Sequence, residues 1–264
     1  MRALIKLNLL LILRDRTIHI LLAFAAILMV IVPMVSAFSM RQSQEMAITL
    51  SLSFISFILL ISTIILGTTV IWRDIERRYT HAILSLPLDR GRYVLGKFFA
   101  VCLFLLGGAL VIGCCAVIAI KIGSLQNRSD FPVQWDRIAL SIAMDVLKYS
   151  VLTALAMLIS TVSTTFFMPV FVTIALFLTG SASQDVYEYI VSAQAKNFSE
   201  FSKALVKIVY YIIPNFGAFD YKLYAVYPIQ IDAMGIMYNA IYAVIYAAMA
   251  LSLAVICFNR REMS

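Results

Sequence analysis

Arg73-Asp-Ile-Glu-Arg-Arg-Tyr-Thr-His-Ala-Ile-Leu-Ser-Leu-Pro-Leu-Asp-Arg-Gly-Arg-Tyr-Val-Leu-Gly-Lys97 separates two long apolar runs, 46–72 and 94–120. It holds six of the chain's 21 Lys and Arg residues. Roughly 20 apolar residues suffice for a helix to cross a hydrocarbon core of ~30 Å. The charged stretch therefore reads as a connector between two membrane-crossing helices. Four more runs of that kind lie outside it, at about 17–39, 138–162, 166–183 and 233–258. The expected fold is an all-α membrane protein with six transmembrane helices, forming a single transmembrane domain over 1–264. Composition agrees: mean hydropathy is +0.95 and 13% of residues are charged, where soluble domains carry about 25%. The start does not read as a cleavable signal, because Arg14-Asp15-Arg16 follows a short apolar run with no small-residue cleavage site.

Six spans put both termini and the 73–97 connector on one face. That face collects Arg2, Lys6, Arg14, Arg16, the six cations of the connector, Arg260 and Arg261. Against them stand Asp15, Asp74, Glu76, Asp89 and Glu262, so the whole net charge of +7 falls there. Lys and Arg excess marks the cytoplasmic side, and both termini are expected in the cytoplasm. Positive-inside topology and anionic lipid account for the basic balance, and nucleic acid is not needed as a partner.

Within the connector, Ile75, Tyr79, Ala82, Ile83 and Leu86 recur at helical spacing. Glu76, Arg77, Thr80, His81 and Ser85 occupy the opposite face, and Pro87 ends the run. The pattern predicts an amphipathic helix over about 74–87, apolar side to the membrane and charged side to the cytosol. A connector that only enforced topology would need scattered cations, not an ordered stripe. Docking to a cytoplasmic partner is the expected use.

Elsewhere, 2–13 reads as a short helix with Leu4, Leu7 and Leu11 on one side. It lies in the membrane interface or simply extends the first span. Ser160 to Thr165 divides spans four and five at the cytoplasmic face, a tight turn whose Ser163, Thr164 and Thr165 offer a second, smaller contact. The outer segment 184–232 carries Phe201, Ala204, Leu205, Ile208, Val209 and Ile212 at helical spacing. An amphipathic or re-entrant element is expected there, stopping at Pro214, with Pro214, Asn215 and Phe216 as the outer gate.

Several patterns point nowhere. Gly91-Arg-Tyr-Val-Leu-Gly96-Lys97-Phe98 imitates a phosphate-binding loop, but Phe98 replaces the hydroxyl that holds magnesium and no strand precedes it. Cys102, Cys114, Cys115 and Cys257 all fall in spans without metal-like spacing. Two histidines, His19 and His81, are too few for a histidine-rich metal site. Asp145 and Lys148, three apart in the fourth span, read as a local ion pair near the outer leaflet or, less simply, a substrate contact.

Glu76, Tyr79-Thr80, Ile83-Leu84-Ser85-Leu86-Pro87, Arg90 and Gly96-Lys97, taken in order, resemble the signature of type 2 ABC exporter permeases. Further along, Ile213-Pro-Asn-Phe before the last span and Phe258-Asn-Arg-Arg-Glu262 at the end fit the same pattern. The sodium-efflux and copper-enzyme-maturation branch is the most similar. The resemblance implies a bacterial plasma-membrane subunit that pairs as a dimer and binds two copies of a separate ATPase. ATP and Mg would sit on that ATPase, with no cofactor on this chain and no enzymatic activity of its own. The 74–87 helix would be the coupling helix. Asp74, Glu76, Arg77, Arg78, Thr80, His81 and Pro87 would then belong to the contact, with Arg90 and Lys97 at the return. The implied function is export of an apolar or amphipathic substrate. The alternative is a mechanotransmitter or assembly factor in which ATPase-driven motion acts on an extracytoplasmic partner. A membrane lipid transferase is a third class, for which no converging catalytic set is found.

Overall fold

In the computed structural model, residues 2–14, 17–39, 42–76, 90–126, 132–191, 199–227 and 229–260 are described. Among them the chain is helical throughout, with no strand. In order come α1 (Arg2–Leu13), α2 (Thr17–Phe38), α3 (Ser43–Glu76), α4 (Arg90–Gln126), α5 (Trp135–Val162), α6 (Phe167–Val191) and α7 (Glu200–Ile212). A 3₁₀ turn (Gly217–Phe219), α8 (Lys222–Val226) and α9 (Ala233–Arg260) complete it. Six of these, α2 to α6 and α9, are long and apolar enough to cross a membrane.

The centre is α5 with α3 against it. Buried positions occur on every side of α5, from Ile138 to Thr161, and it packs on α3, α4, α6, α8 and α9. In the most apolar window of each span, 61% of α3 and 56% of α5 is buried, against 22% of α2 and α6. The peripheral helices therefore give most of their apolar surface to lipid. In a bilayer there is little hydrophobic drive between helices, so close approach through small residues decides the packing. Gly67 of α3 supplies it: a Cβ there would lie 2.8 Å from the Ala156 Cβ. Beside that contact the Ser160 hydroxyl donates to the Thr68 carbonyl at 2.9 Å.

Helix bounds differ from the sequence expectation in a consistent direction. The 34 residues of α3 and 37 of α4 make helices of about 50 and 55 Å, well beyond the apolar core. Helical hydrogen bonding needs no apolar side chain, so the helices continue past the hydrophobic runs that define the spans. Hence α3 runs unbroken through Glu76, α4 begins at Arg90 and α6 reaches Val191. Asp74 and Glu76 thus end a span instead of opening a separate helix. The rest of the 74–87 coupling helix lies outside the described residues.

At the N-terminus, α1 is a distinct helix set chiefly against α4. Its packed face is Ile5, Leu9 and Ile12, while Leu7 and Leu11 of the expected stripe are exposed. Both faces of this helix are apolar, so spacing alone does not say which one meets protein. Leu4 approaches Gly96, and Phe258 of α9 stacks on Tyr93 of α4 at 5.8 Å. The outer ends of the described chain thereby gather at one end of α4.

Candidate functional site

Two polar clusters and one aromatic turn stand out in an otherwise apolar bundle. The first joins the facing ends of α3 and α4. Asp74 Oδ2 accepts hydrogen bonds from Tyr93 Oη and Lys97 Nζ, and Lys97 Nζ also donates to the Val70 carbonyl. Lys97 is 3% exposed and Asp74 22% by side chain. The ammonium also lies 4.9 Å from the Tyr93 ring centroid. Lys97 faces α3 because it sits one turn after Tyr93 on α4, and four-residue spacing places both on the same helix face. A Lys buried to this extent is paired or it is costly, and here the ammonium has a carboxylate and a carbonyl as acceptors.

This arrangement disposes of the phosphate-loop imitation by geometry. Gly91 to Lys97 forms the first turns of α4, so the backbone N–H groups run along the helix and do not converge on a loop centre. The Lys97 ammonium is committed to Asp74.

Of the nine expected coupling residues, Asp74 and Lys97 are brought together. Glu76 is exposed on the last turn of α3, and Arg90 opens α4. Arg77, Arg78, Thr80, His81 and Pro87 lie outside the described residues. The turn between α5 and α6 is close by, because Trp72 of α3 and Phe166 meet at 5.2 Å between ring centroids. Ser163 is buried there: its hydroxyl donates to the Thr165 carbonyl at 2.7 Å and accepts from the Thr165 N–H at 3.2 Å. Thr164 and Thr165 are exposed. In the expected second contact, Ser163 holds the turn and only the two threonines present a surface.

The second cluster is buried where α5 crosses α3. Lys148 Nζ lies 2.8 Å from Asp145 Oδ1, with side-chain exposures of 7% and 2%. Ser56 of α3 donates to the same oxygen at 3.4 Å and shares a 2.7 Å hydrogen bond with Tyr149 Oη. The second carboxylate oxygen of Asp145 has no hydrogen-bond partner. Tyr149 is 14 residues into the 28 of α5, about 20 Å from either end. Asp145 lies 10 residues and Lys148 13 residues into the helix, about 15 and 20 Å from its Trp135 end, so the pair sits between that end and the helix midpoint. Ser56 and Tyr149 were not foreseen. Only the distance along α3 and α5 relates them, and a single Ser among many in an apolar run carries no signal.

The turn expected on the outer side, 214–219, is a packed plug. Pro214, Phe216 and Phe219 are buried, and the Phe216 N–H donates to the Gly180 carbonyl at 3.0 Å. Asn215 Nδ2 donates to Gln184 Oε1, and its backbone N–H donates to Tyr242 Oη at 3.1 Å. Asn239 donates to the Ala218 carbonyl at 2.7 Å and Tyr221 Oη at 3.1 Å. Gly180 lies 11 residues before the end of α6, so the plug sits about 16 Å below that end. Phe216 meets Phe177 at 6.1 Å, and Phe177 meets Tyr149 at 6.2 Å. A line of three rings therefore connects the expected outer gate to the buried ion pair.

Two further devices hold this end. Arg137, in the first turn of α5, donates to the carbonyls of Tyr224, Tyr227 and Ile229 at 3.2, 3.1 and 2.7 Å, satisfying the C-terminus of α8. Tyr187 and Tyr210 stack at 4.3 Å and tie α6 to α7. With Phe201, Ile208, Tyr211 and Ile212 turned outward, α7 presents an apolar face away from the bundle, as a helix lying on lipid does.

A Cβ on Gly180 would stand 2.5 Å from both the Phe216 ring and the Pro214 carbonyl oxygen. The carbonyl cannot rotate away as a side-chain end can. Gly180→Val is therefore expected to cost about 3 kcal/mol by overpacking and to free the plug. Gly107, whose Cβ position meets nothing within 4 Å, is the control at which Val should be tolerated. Thermal unfolding in detergent, with cysteine labelling at Asn215→Cys, reads both effects. Equal stability of the two variants would show the plug is not seated as described.

No protein-family model matches the chain, and no curated protein matches it.

Proposed function

We propose that the chain is the transmembrane subunit of an ATP-driven exporter, with the α3–α4 end in the cytoplasm of a bacterial cell and the ATPase on a separate chain. The observation that carries this reading is the Asp74–Lys97–Tyr93 clasp. It fixes the two helix ends between which the connector resembling a coupling helix is strung. A docking element transmits force only if its base does not yield. A buried ion pair braced by a tyrosine, with Phe258 stacked behind it, supplies such a base. The concentration of the whole net charge of +7 at that end supports its cytoplasmic side.

Two copies of the permease with two ATPase subunits would move an apolar or amphipathic substrate between the protomers. Closure of the ATPases would tilt α3 and α4 together through the clasp. Displacement at the far ends of α5 and α6 would then loosen the Pro214–Phe216 plug.

Glu76, exposed on the last turn of α3, is the residue to change. Glu76→Lys is expected to lower permease-stimulated ATP hydrolysis about 5–10-fold, as one exposed charge contact becomes repulsive, roughly 1–1.4 kcal/mol. The measurement uses proteoliposomes containing the permease and the ATPase encoded beside it. Gel filtration and circular dichroism must show the variant folded. Stimulation equal to wild type, or no stimulation by the unaltered permease, would sink the assignment.

A further inference from the structure

Between α4, α5 and α9 lies a cavity of about 930 Å³. Its walls are Leu95, Phe99, Leu103 and Leu106 of α4, Val146 and Leu147 of α5, and Ala243 to Ile256 of α9. Phe99, Leu103, Leu106, Val244 and Ile256 are about half exposed, so the cavity opens sideways, toward the surface that faces lipid. One end differs from the rest: Gly91 and the exposed Arg92 close it.

The length of the groove and the cation at its end point to an occupant. From Arg92 to Leu106 along α4 is about 21 Å, and from Ala243 to Ile256 along α9 about 20 Å. One leaflet of hydrocarbon is about 15 Å deep, so the groove runs from the interface to the bilayer middle. Along that length the walls are almost wholly apolar and open toward the lipid-facing surface. Acyl chains match such a wall in length and chemistry. At the interface end the available group is a guanidinium, which forms paired hydrogen bonds with phosphate oxygens.

We propose that this groove binds an anionic phospholipid from the leaflet on the Arg92 side, its acyl chains along α4 and α9 and its phosphate on Arg92. In the orientation proposed above this is the cytoplasmic leaflet, but the binding does not depend on any ATPase. The site is separate from the Asp74–Lys97 clasp, since Lys97 points to α3 and Arg92 to the groove.

Native mass spectrometry of the purified chain tests it, with phosphatidylglycerol and phosphatidylcholine of identical chains at equal concentration. Phosphatidylglycerol should bind about fivefold better, the factor contributed by one cation beside an anionic headgroup. Arg92→Gln should abolish that preference while leaving residual binding. Ala248→Trp fills the groove from an exposed position on α9 and should reduce binding of both lipids several-fold. Lys121→Gln, at the far end of α4, should change nothing. Equal binding of the two lipids by the unaltered chain would overturn the proposal, as would an Ala248→Trp variant that binds normally. A disulfide between copies carrying Val244→Cys, formed in the membrane and excluding lipid, would assign the groove to self-association and overturn it as well.

Discussion

Replacing Lys148 by Met should destabilise the bundle by about 3–5 kcal/mol, the cost of stripping the partner from a buried charge. Asp145 is 2% exposed, and one of its oxygens already lacks a hydrogen-bond partner. Without Lys148 the carboxylate would keep only the Ser56 hydroxyl at 3.4 Å. The converse change, Asp145→Leu, should cost less. Lys148 has a flexible stem that can carry its ammonium toward a wetter depth, and it stays 4.9 Å from the Tyr149 ring centroid. The double variant Asp145→Leu with Lys148→Met should fall close to wild type, because a buried pair replaced by apolar residues of similar size is about neutral. The cycle therefore yields a coupling of at least about 2 kcal/mol. Reversible unfolding in mixed micelles measures it. Additive single costs would mean that the two side chains do not meet in the folded protein.

The double variant also separates stability from use. An ionisable pair within a span is a functional candidate by its expense alone. Tyr149, Phe177 and Phe216 connect this pair to the outer plug. If the doubly substituted chain folds normally yet loses coupled turnover, the charges serve the motion. If turnover survives, they serve helix registration.

What could be read from the chain follows from which physics acts locally. Six runs of apolar residues sufficed for six spans, because the bilayer imposes one length on any crossing helix. The Phe201-to-Ile212 pattern identified α7, since a helix on lipid must turn one face outward and its spacing shows it. Side-chain contacts were illegible. Tyr93 appeared only as a filler position in a false phosphate loop, yet it braces Asp74. Arg137, next to the fourth apolar run, carries no signal in the sequence, yet it donates to three carbonyls about 90 residues away. Both sides of α1 are apolar: Leu7 and Leu11 of the stripe are exposed while Ile5, Leu9 and Ile12 pack on the bundle, a division that spacing alone does not make. Hydropathy separates water from oil, and it does not separate oil from protein.

The clasp at the α3–α4 end should respond asymmetrically, and the asymmetry distinguishes a brace from a surface salt bridge. Exposed pairs contribute about 0–1 kcal/mol whichever partner is removed. Here Asp74→Ala leaves Lys97, 3% exposed, with the Val70 carbonyl and the Tyr93 ring as its remaining support. A loss of about 3 kcal/mol is expected, the lower part of the range for an orphaned buried charge. Lys97→Met leaves Asp74, which is 22% exposed and still receives the Tyr93 hydroxyl. Water reaches that carboxylate, so the loss should be about 1 kcal/mol. Tyr93→Phe removes one hydrogen bond and keeps the stacking on Phe258, and should likewise cost about 1 kcal/mol. Chemical unfolding in micelles measures the three variants side by side. Equal losses from Asp74→Ala and Lys97→Met would place Lys97 in water, and the rigid base assigned to the connector would go with it. If the ordering holds and the chain is the proposed permease, Asp74→Ala should also lower stimulation of its ATPase, because the Asp74 carboxylate holds Lys97 and Tyr93 together within the bundle. Force passed through a yielding base is lost at the base, and Glu76 would then be intact but mounted on a loosened helix end.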